Sequence, residues 1–245
     1  MKNSMQKCII FVFIFIFGAM MCRGSEKKWI SFDKKVIDDK ADFDIKPLTP
    51  ELMKNLHDSG KKPRPSVVRK RYNQAGEVLD KKAKNFDRCI ISVNFPGMIL
   101  SEKNVNDESY QKISYMRSAS KGEVGKPDVP LKGVFLKIPV DMEPVVTVLE
   151  QKRHRLYDLN LIPTQPPLTD SKAQKKRFQK DNAFYKKNTL YPQEVFTYKT
   201  IKAGLKNKML LISLYPVQYN PKSKQAFITS FIQFKVTLKP VKNKD

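Results

Sequence analysis

Histidine is scarce in this chain of 245 residues: there are two, His57 and His154. Cysteine is scarce as well, with three, and glycine, with nine. Each shortage excludes something. No His/Cys pair stands at ligand spacing and no carboxylates cluster as in a calcium loop, so no metal site is expected. There is no Gly-rich phosphate loop and no G-x-S-x-G elbow, so no cofactor is expected either. His154 lies in the run Lys152-Arg153-His154-Arg155, where neighbouring cations make its imidazole a poor base. A Cys89–His154 dyad would need that base beside the thiol. Cys89 instead alternates with Ile91, Val93 and Phe95, as a small core residue does. A glycosidase needs two paired carboxylates, yet the acids here are scattered over loops. The chain is not expected to be an enzyme on its own.

Acidic charge is also short. Asp and Glu number 24 against 47 Lys and Arg, a formal net charge of +23. Long apolar runs are missing after Met21, so no transmembrane span is expected downstream. Before Met21 there is one run, Cys8 to Met21, behind Lys2 and Lys7. Cys22 and Gly24 follow as small residues, which predicts a signal peptide over residues 1–24 with cleavage after Gly24. A lipoprotein reading would make Cys22 the lipidated residue, but Met21 stands where a small residue is wanted. Cleavage leaves 44 basic and 24 acidic residues, a net charge of +20. It also leaves Cys89 as the sole cysteine and rules out an intramolecular disulfide. The expected address is outside the cytoplasm: periplasm, cell surface or medium. Export and the lack of any nucleic-acid motif argue against nucleic acid, so no nucleic-acid partner is expected for the basic charge.

What is present is a period of two. Residues 25–85 read as a basic, irregular arm with one short helix within Lys46–Asp58. There Thr49 is a cap, Pro50 a first position, and Leu52, Met53 and Leu56 one face. The stretch KKPRPSVVRKR reads as a linker or exposed arm, and Asn73–Gly76 as a hairpin turn. From Phe86 strands dominate: Arg88–Phe95, Val134 to Ile138, Val145–Leu149, Val195–Ile201, Met209–Tyr215 and Ala226–Leu238. Residues 86–240 are therefore expected to form an all-β domain, an immunoglobulin-like or jelly-roll-type β-sandwich, with 241–245 a tail. One long polar interruption, Leu168–Tyr191, carries Lys175, Lys176 and Arg177 and has room for a helical turn near Ala173–Asn182. Loops of that length in compact domains are often functional.

Two proline-bearing segments stand out. One is Gly125-Lys126-Pro127-Asp128-Val129-Pro130, with Ile138-Pro139 after it. The other is Tyr215-Pro216-Val217-Gln218-Tyr219-Asn220-Pro221, followed by the last strand. Between them lie Ile162-Pro163-Thr164-Gln165-Pro166 and Tyr191-Pro192. Prolines remove backbone donors and fix φ, so such segments pass along a sheet or turn stiffly. Their order resembles the propeptide domain of gingipain-type cysteine proteases, the C25 peptidase family, over about Phe86–Pro240. Ile91–Gly97 followed by Ser109–Tyr115 is similar to that family's opening hairpin.

The resemblance implies a β-sandwich that assists folding of a caspase-like catalytic domain and blocks its cleft until removed. That catalytic domain is then the partner, either supplied in trans or lost by truncation. Enzymes of this type prefer Arg or Lys at the cleaved bond, so an exposed basic residue would serve as inhibitor. The candidates are Lys175, Lys176 and Arg177, with Arg153 and Arg155 second. The alternative class is a secreted β-sandwich that adheres to a polyanionic envelope through its basic charge.

Overall fold

The computed structural model describes residues 27–32, 44–58, 63–83, 85–167 and 178–241. The expected signal peptide, with Gly24, lies outside the described residues. Strands dominate: β1 (Lys27–Ser31), β2 (Asp44–Pro47), β3 (Ser66–Tyr72), β4 (Val78–Leu79), β5 (Arg88–Asn94), β6 (Gly97–Val105), β7 (Glu108–Ser114) and β8 (Ala119–Lys121) precede β9 (Val129–Pro139) and β10 (Met142–Leu156). The chain closes with β11 (Phe196–Lys202), β12 (Asn207–Leu214), β13 (Val217–Asn220) and β14 (Gln225–Pro240). Two helices interrupt them, α1 (Pro50–Asp58) and α2 (Asn182–Tyr185). No helix among the described residues is long and apolar enough to cross a membrane.

The strands form three antiparallel sheets, in the orders β2-β1-β6-β7, β10-β14-β5-β3-β4 and β11-β12-β9-β8. Alternation decides their faces. On β5, Cys89, Ile91 and Val93 are buried, and on β14 Ile232, Phe234 and Val236 join them. Val134, Leu136 and Ile138 of β9 and Leu210, Ile212 and Leu214 of β12 face the same cluster. Phe196 of β11 meets Phe234 of β14 edge-on, with ring centroids 5.0 Å apart. Two sheets therefore share one core, and the third adds Ile30, Met98 and Ile113 to it. The all-β sandwich expected from the period of two is borne out.

The N-terminal region departs from expectation. Within 25–85 the described residues do not read as an irregular arm, because β1 pairs with β6 and β3 pairs with β5 along its whole length. Trp29 and Ile30 are buried. A Cβ on Gly97, opposite Ser31, would strike the Trp29 ring and the Ile30 carbonyl, so the close approach of β1 to β6 requires glycine there. β3 reads as a linker because its alternation is carried by Val67, Arg69 and Arg71. Long basic side chains cover apolar surface with their stems, and the Arg71 guanidinium sits 5.5 Å from the Phe86 ring centre. Partner β5, not local sequence, fixes this strand. The helix does match: the Leu52 amide donates to Thr49 Oγ1 at 3.1 Å, and Leu52, Met53 and Leu56 are half-buried on one side. The Asn73–Gly76 turn also matches, joining β3 to β4. The expected pairing of Ile91–Gly97 with Ser109–Tyr115 does not occur. β5 and β7 lie in different sheets, and the hairpin is β6–β7, turning at Asn106-Asp107 with φ of 49° and 61°. Positive φ at both central residues matches the twist of the flanking strands.

Candidate functional site

The two proline segments meet around a third strip, residues 161–164. Gly125 has φ +83°, a left-handed position, and a Cβ there would come within 3.2 Å of the Asp181 amide nitrogen. Its N–H donates to the Thr164 carbonyl at 2.9 Å, and its own carbonyl accepts from Asp181 at 3.0 Å. Pro127 bridges Pro163, and the Asp128 amide donates to the Ile162 carbonyl at 2.8 Å. The Asp128 carboxylate is buried, accepts from Ser120, and pairs with Lys112 at 2.9 Å. Pro130 sits in β9 opposite Ser120. The first segment is thus a junction that ties the start of β9 to strip 161–164.

The second segment does the same at the other end. Tyr215 donates its amide to the Val195 carbonyl at 2.8 Å, and the Pro216 carbonyl accepts from Thr229 at 2.7 Å. Tyr219 and Tyr191 exchange both backbone hydrogen bonds at 2.8 Å. The Tyr219 hydroxyl, fully buried, donates to the Leu159 carbonyl at 2.7 Å. Asn220 Nδ2 donates to Asn188 Oδ1 at 2.8 Å, and Pro221 begins the turn into β14. Gly125, Asp128, Tyr215, Pro216 and Tyr219 therefore anchor backbone.

What they anchor is the long polar loop. Gln165 accepts from the Gln179 amide at 2.9 Å and donates from Nε2 to the Gln179 carbonyl at 2.9 Å. The chain between them leaves and returns at one point. Past Gln179, Lys180 is pinned to Glu108 at 2.7 Å and to the Tyr110 hydroxyl at 3.0 Å. The Lys180, Tyr110 and Asn160 hydrogen bonds hold the Glu108 carboxyl at about 2, well below its ordinary 4.5. Asp181 caps α2 by accepting from the Phe184 amide at 2.9 Å. Phe184 packs edge-on against Tyr191 at 5.3 Å, and the Tyr185 hydroxyl donates to the Leu161 carbonyl at 2.6 Å. A helical turn begins at Asn182, the end of the Ala173–Asn182 window, whose residues 173–177 lie outside the described residues.

The five basic candidates separate. Lys175, Lys176 and Arg177 lie outside the described residues, within the span that Gln165 and Gln179 close. Arg153 and Arg155 lie on β10, a sheet strand rather than a loop. Arg153 donates to Gln218 Oε1 at 2.8 Å and covers the Phe227 ring at 4.7 Å, while Arg155 lies 5.1 Å from the same ring. Their guanidinium groups serve the sheet. Gln165, Gln179, Glu108 and Lys180 were not singled out in the sequence. The signal available for the first pair was a glutamine on each side of a lysine-rich interruption.

Cys89 and His154 cannot form a dyad. Cys89 stands opposite Val236 and His154 opposite Ile228 on the intervening β14, eight residues and so roughly 27 Å apart along the strand. Burial pushes the Cys89 thiol up to about 11. His154 is lowered by burial, stacks on Phe32 at 5.2 Å, and shares a 2.7 Å hydrogen bond with Ser230.

The profile of the C25 peptidase propeptide family, Propeptide_C25, matches residues 71–244. This chain belongs to the C25 propeptide family. Curated relatives of the propeptide include Lys-gingipain HG66 and Lys-gingipain W83 of Porphyromonas gingivalis. Each is 25% identical over 160 residues, 62% of this chain and 9% of the relative. The chain thus spans about a tenth of the length of the curated relatives it matches. Among solved structures, one described as structural insight into zymogenic latency of gingipain K from P. gingivalis superposes with a TM-score of 0.61 at 18% identity. It covers 88% of this chain and 100% of that one. A complex of P. gingivalis RgpB pro- and mature domains gives 0.57 at 15% identity, over 64% and 83% of the two chains.

Proposed function

We propose that this C25 propeptide is the secreted, non-catalytic inhibitor and folding aid of a gingipain-type cysteine endopeptidase, and that it acts by occupying the protease cleft. The single observation that carries the reading is the Gln165–Gln179 closure, which on a family fold ties together the two ends of the sequence segment that contains Lys175, Lys176 and Arg177. An acidic specificity pocket would receive one of these cations, and such a pair is strong once desolvated. The commitment of Arg153 and Arg155 to Gln218 and Phe227 favours the loop over β10. The signal peptide over 1–24 would deliver the domain to the compartment of its protease.

The test uses the purified domain and the mature catalytic domain of Lys-gingipain. The wild type should inhibit hydrolysis of a Lys-containing peptide. The substitutions Lys175→Ala, Lys176→Ala and Arg177→Ala together should raise the inhibition constant at least tenfold. An unchanged constant removes the loop from the mechanism. Absence of inhibition by the wild type, with salt-sensitive binding to acidic glycans, would instead support an envelope-binding module.

A further inference from the structure

A sheet edge offers unpaired N–H and C=O groups to any extended chain, so proteins shorten, bulge, cover or charge their edges. Most edges here are treated in one of these ways. β8 has three residues, β4 two, and β2 four, ending in Pro47. β10 is long, but its register breaks between Val148 and Glu150 and again between Lys152 and Arg153. β7 is covered by strip 160–162, where Gln111 exchanges backbone bonds with Asn160 and Ile162 at 2.8 and 2.9 Å. β3 has β4 against Arg71 and Tyr72 and follows Pro65.

β11 is the exception. Its seven residues pair with β12 in unbroken register, it contains no proline, and among the described residues no strand lies on its other side. The parity of its groups follows from the two ends of the ladder. The Val195 carbonyl accepts from Tyr215, and the Ala203 amide donates to the Asn207 carbonyl. Odd-numbered residues therefore bond β12, and Phe196, Tyr198, Thr200 and Lys202 point their N–H and C=O groups outward. Apolar side chains beside this edge are exposed as well. Tyr198 and Ile201 are 44% and 45% exposed, and a cleft of about 650 Å³ is lined by residues Glu194–Tyr198.

We infer that the open edge of β11 is a docking strip that an extended, acid-bearing segment of the mature protease domain joins as an added strand. This rests on the propeptide reading above. Main-chain bonds to the four outward residues would supply affinity, and alternate side chains of the segment would enter the cleft or lie beside Ile201. Charge selects the occupant. β9, β11 and β12 hold five lysines and no Asp or Glu; Lys208 is paired with Glu143, which leaves Lys132, Lys137, Lys199 and Lys202, and Glu194 stands two residues before the edge strand. A second copy pairing edge to edge would face Lys199 and Lys202 with more lysines, which is unfavourable across strands. An acidic strand meets no such penalty.

The experiment uses Thr200→Pro. The Thr200 N–H points away from β12, so proline there leaves the ladder whole while removing one outward donor. Binding is measured to mature Lys-gingipain whose active-site cysteine is alkylated, with the melting temperature as the folding control. The expected result is wild-type melting and binding weakened at least tenfold. Lys199→Glu with Lys202→Glu should weaken binding by at least as much through repulsion, and it serves where the proline variant melts early. Wild-type affinity in both variants overturns the docking strip and leaves the propeptide reading intact. No binding by the wild type removes both. A wild-type dimer that Thr200→Pro makes monomeric, with protease binding unchanged, would assign the edge to a second copy and overturn the proposal.

Discussion

The Tyr219 hydroxyl and the Leu159 carbonyl are out of water and satisfy each other at 2.7 Å. Removing the donor leaves a buried carbonyl with its desolvation cost, about 1–3 kcal/mol. Tyr219→Phe is therefore expected to lower unfolding free energy by that order, read from a urea transition, with little change in its slope. Glu108 makes a pH prediction. Its carboxyl is held at about 2 in the folded state, below the ordinary 4.5. A depressed carboxyl stabilises the fold above its unfolded value, and that contribution is lost as pH falls from about 4.5 through about 2. Its side chain is 47% exposed, so solvent screening keeps the effect modest. Wild type and Glu108→Gln should differ in urea midpoint at pH 6, converge below pH 4, and coincide near pH 2. A constant difference across that range would show that charge is not what Glu108 contributes.

At the scale of elements, the loop closure is the piece that links fold to proposed inhibition. The Gln165–Gln179 bonds contribute little to global stability, since a typical hydrogen bond nets about 1 kcal/mol. Their value lies in limiting where the loop ends stand before binding, which lowers the ordering cost on association. Gln165→Ala should therefore leave the melting temperature within a few degrees and weaken protease inhibition several-fold. Equal loss of stability and inhibition would assign Gln165 to the fold alone. β5, β9, β12 and β14 were legible because Cys89, Ile91 and Val93, or Leu210, Ile212 and Leu214, state their face by simple alternation, whereas β6 and β8 were missed and β13 read as a turn. β1 and β3 were not legible either. Trp29 and Ile30 are adjacent rather than alternating, and Arg69 and Arg71 do the work of apolar residues on β3. The motif residues were visible as turns, but their partners were not. Gly125 meets Thr164 and Asp181, and Tyr219 meets Tyr191, contacts that only the tertiary fold brings together.

At the scale of the whole molecule, β14 is the strand on which the largest sheet depends. It lies between β10 and β5 and carries β13 as well, with Ile228, Ile232, Phe234 and Val236 all in the core. A fragment of residues 27–221 lacks it and so lacks one wall of the sandwich. That fragment should show no cooperative denaturant transition and little amide protection, whereas residues 27–245 should unfold in one step.

The position of β14 in the chain has a temporal side. Synthesis delivers residues in order, so β5 waits 137 to 149 residues for Phe231–Thr237, the partners given by its register, and β10 waits 70 to 98 for its own partners on the same strand. Long-range pairings of this kind form late and slowly. A chain built so cannot close its core until nearly all of it has been made.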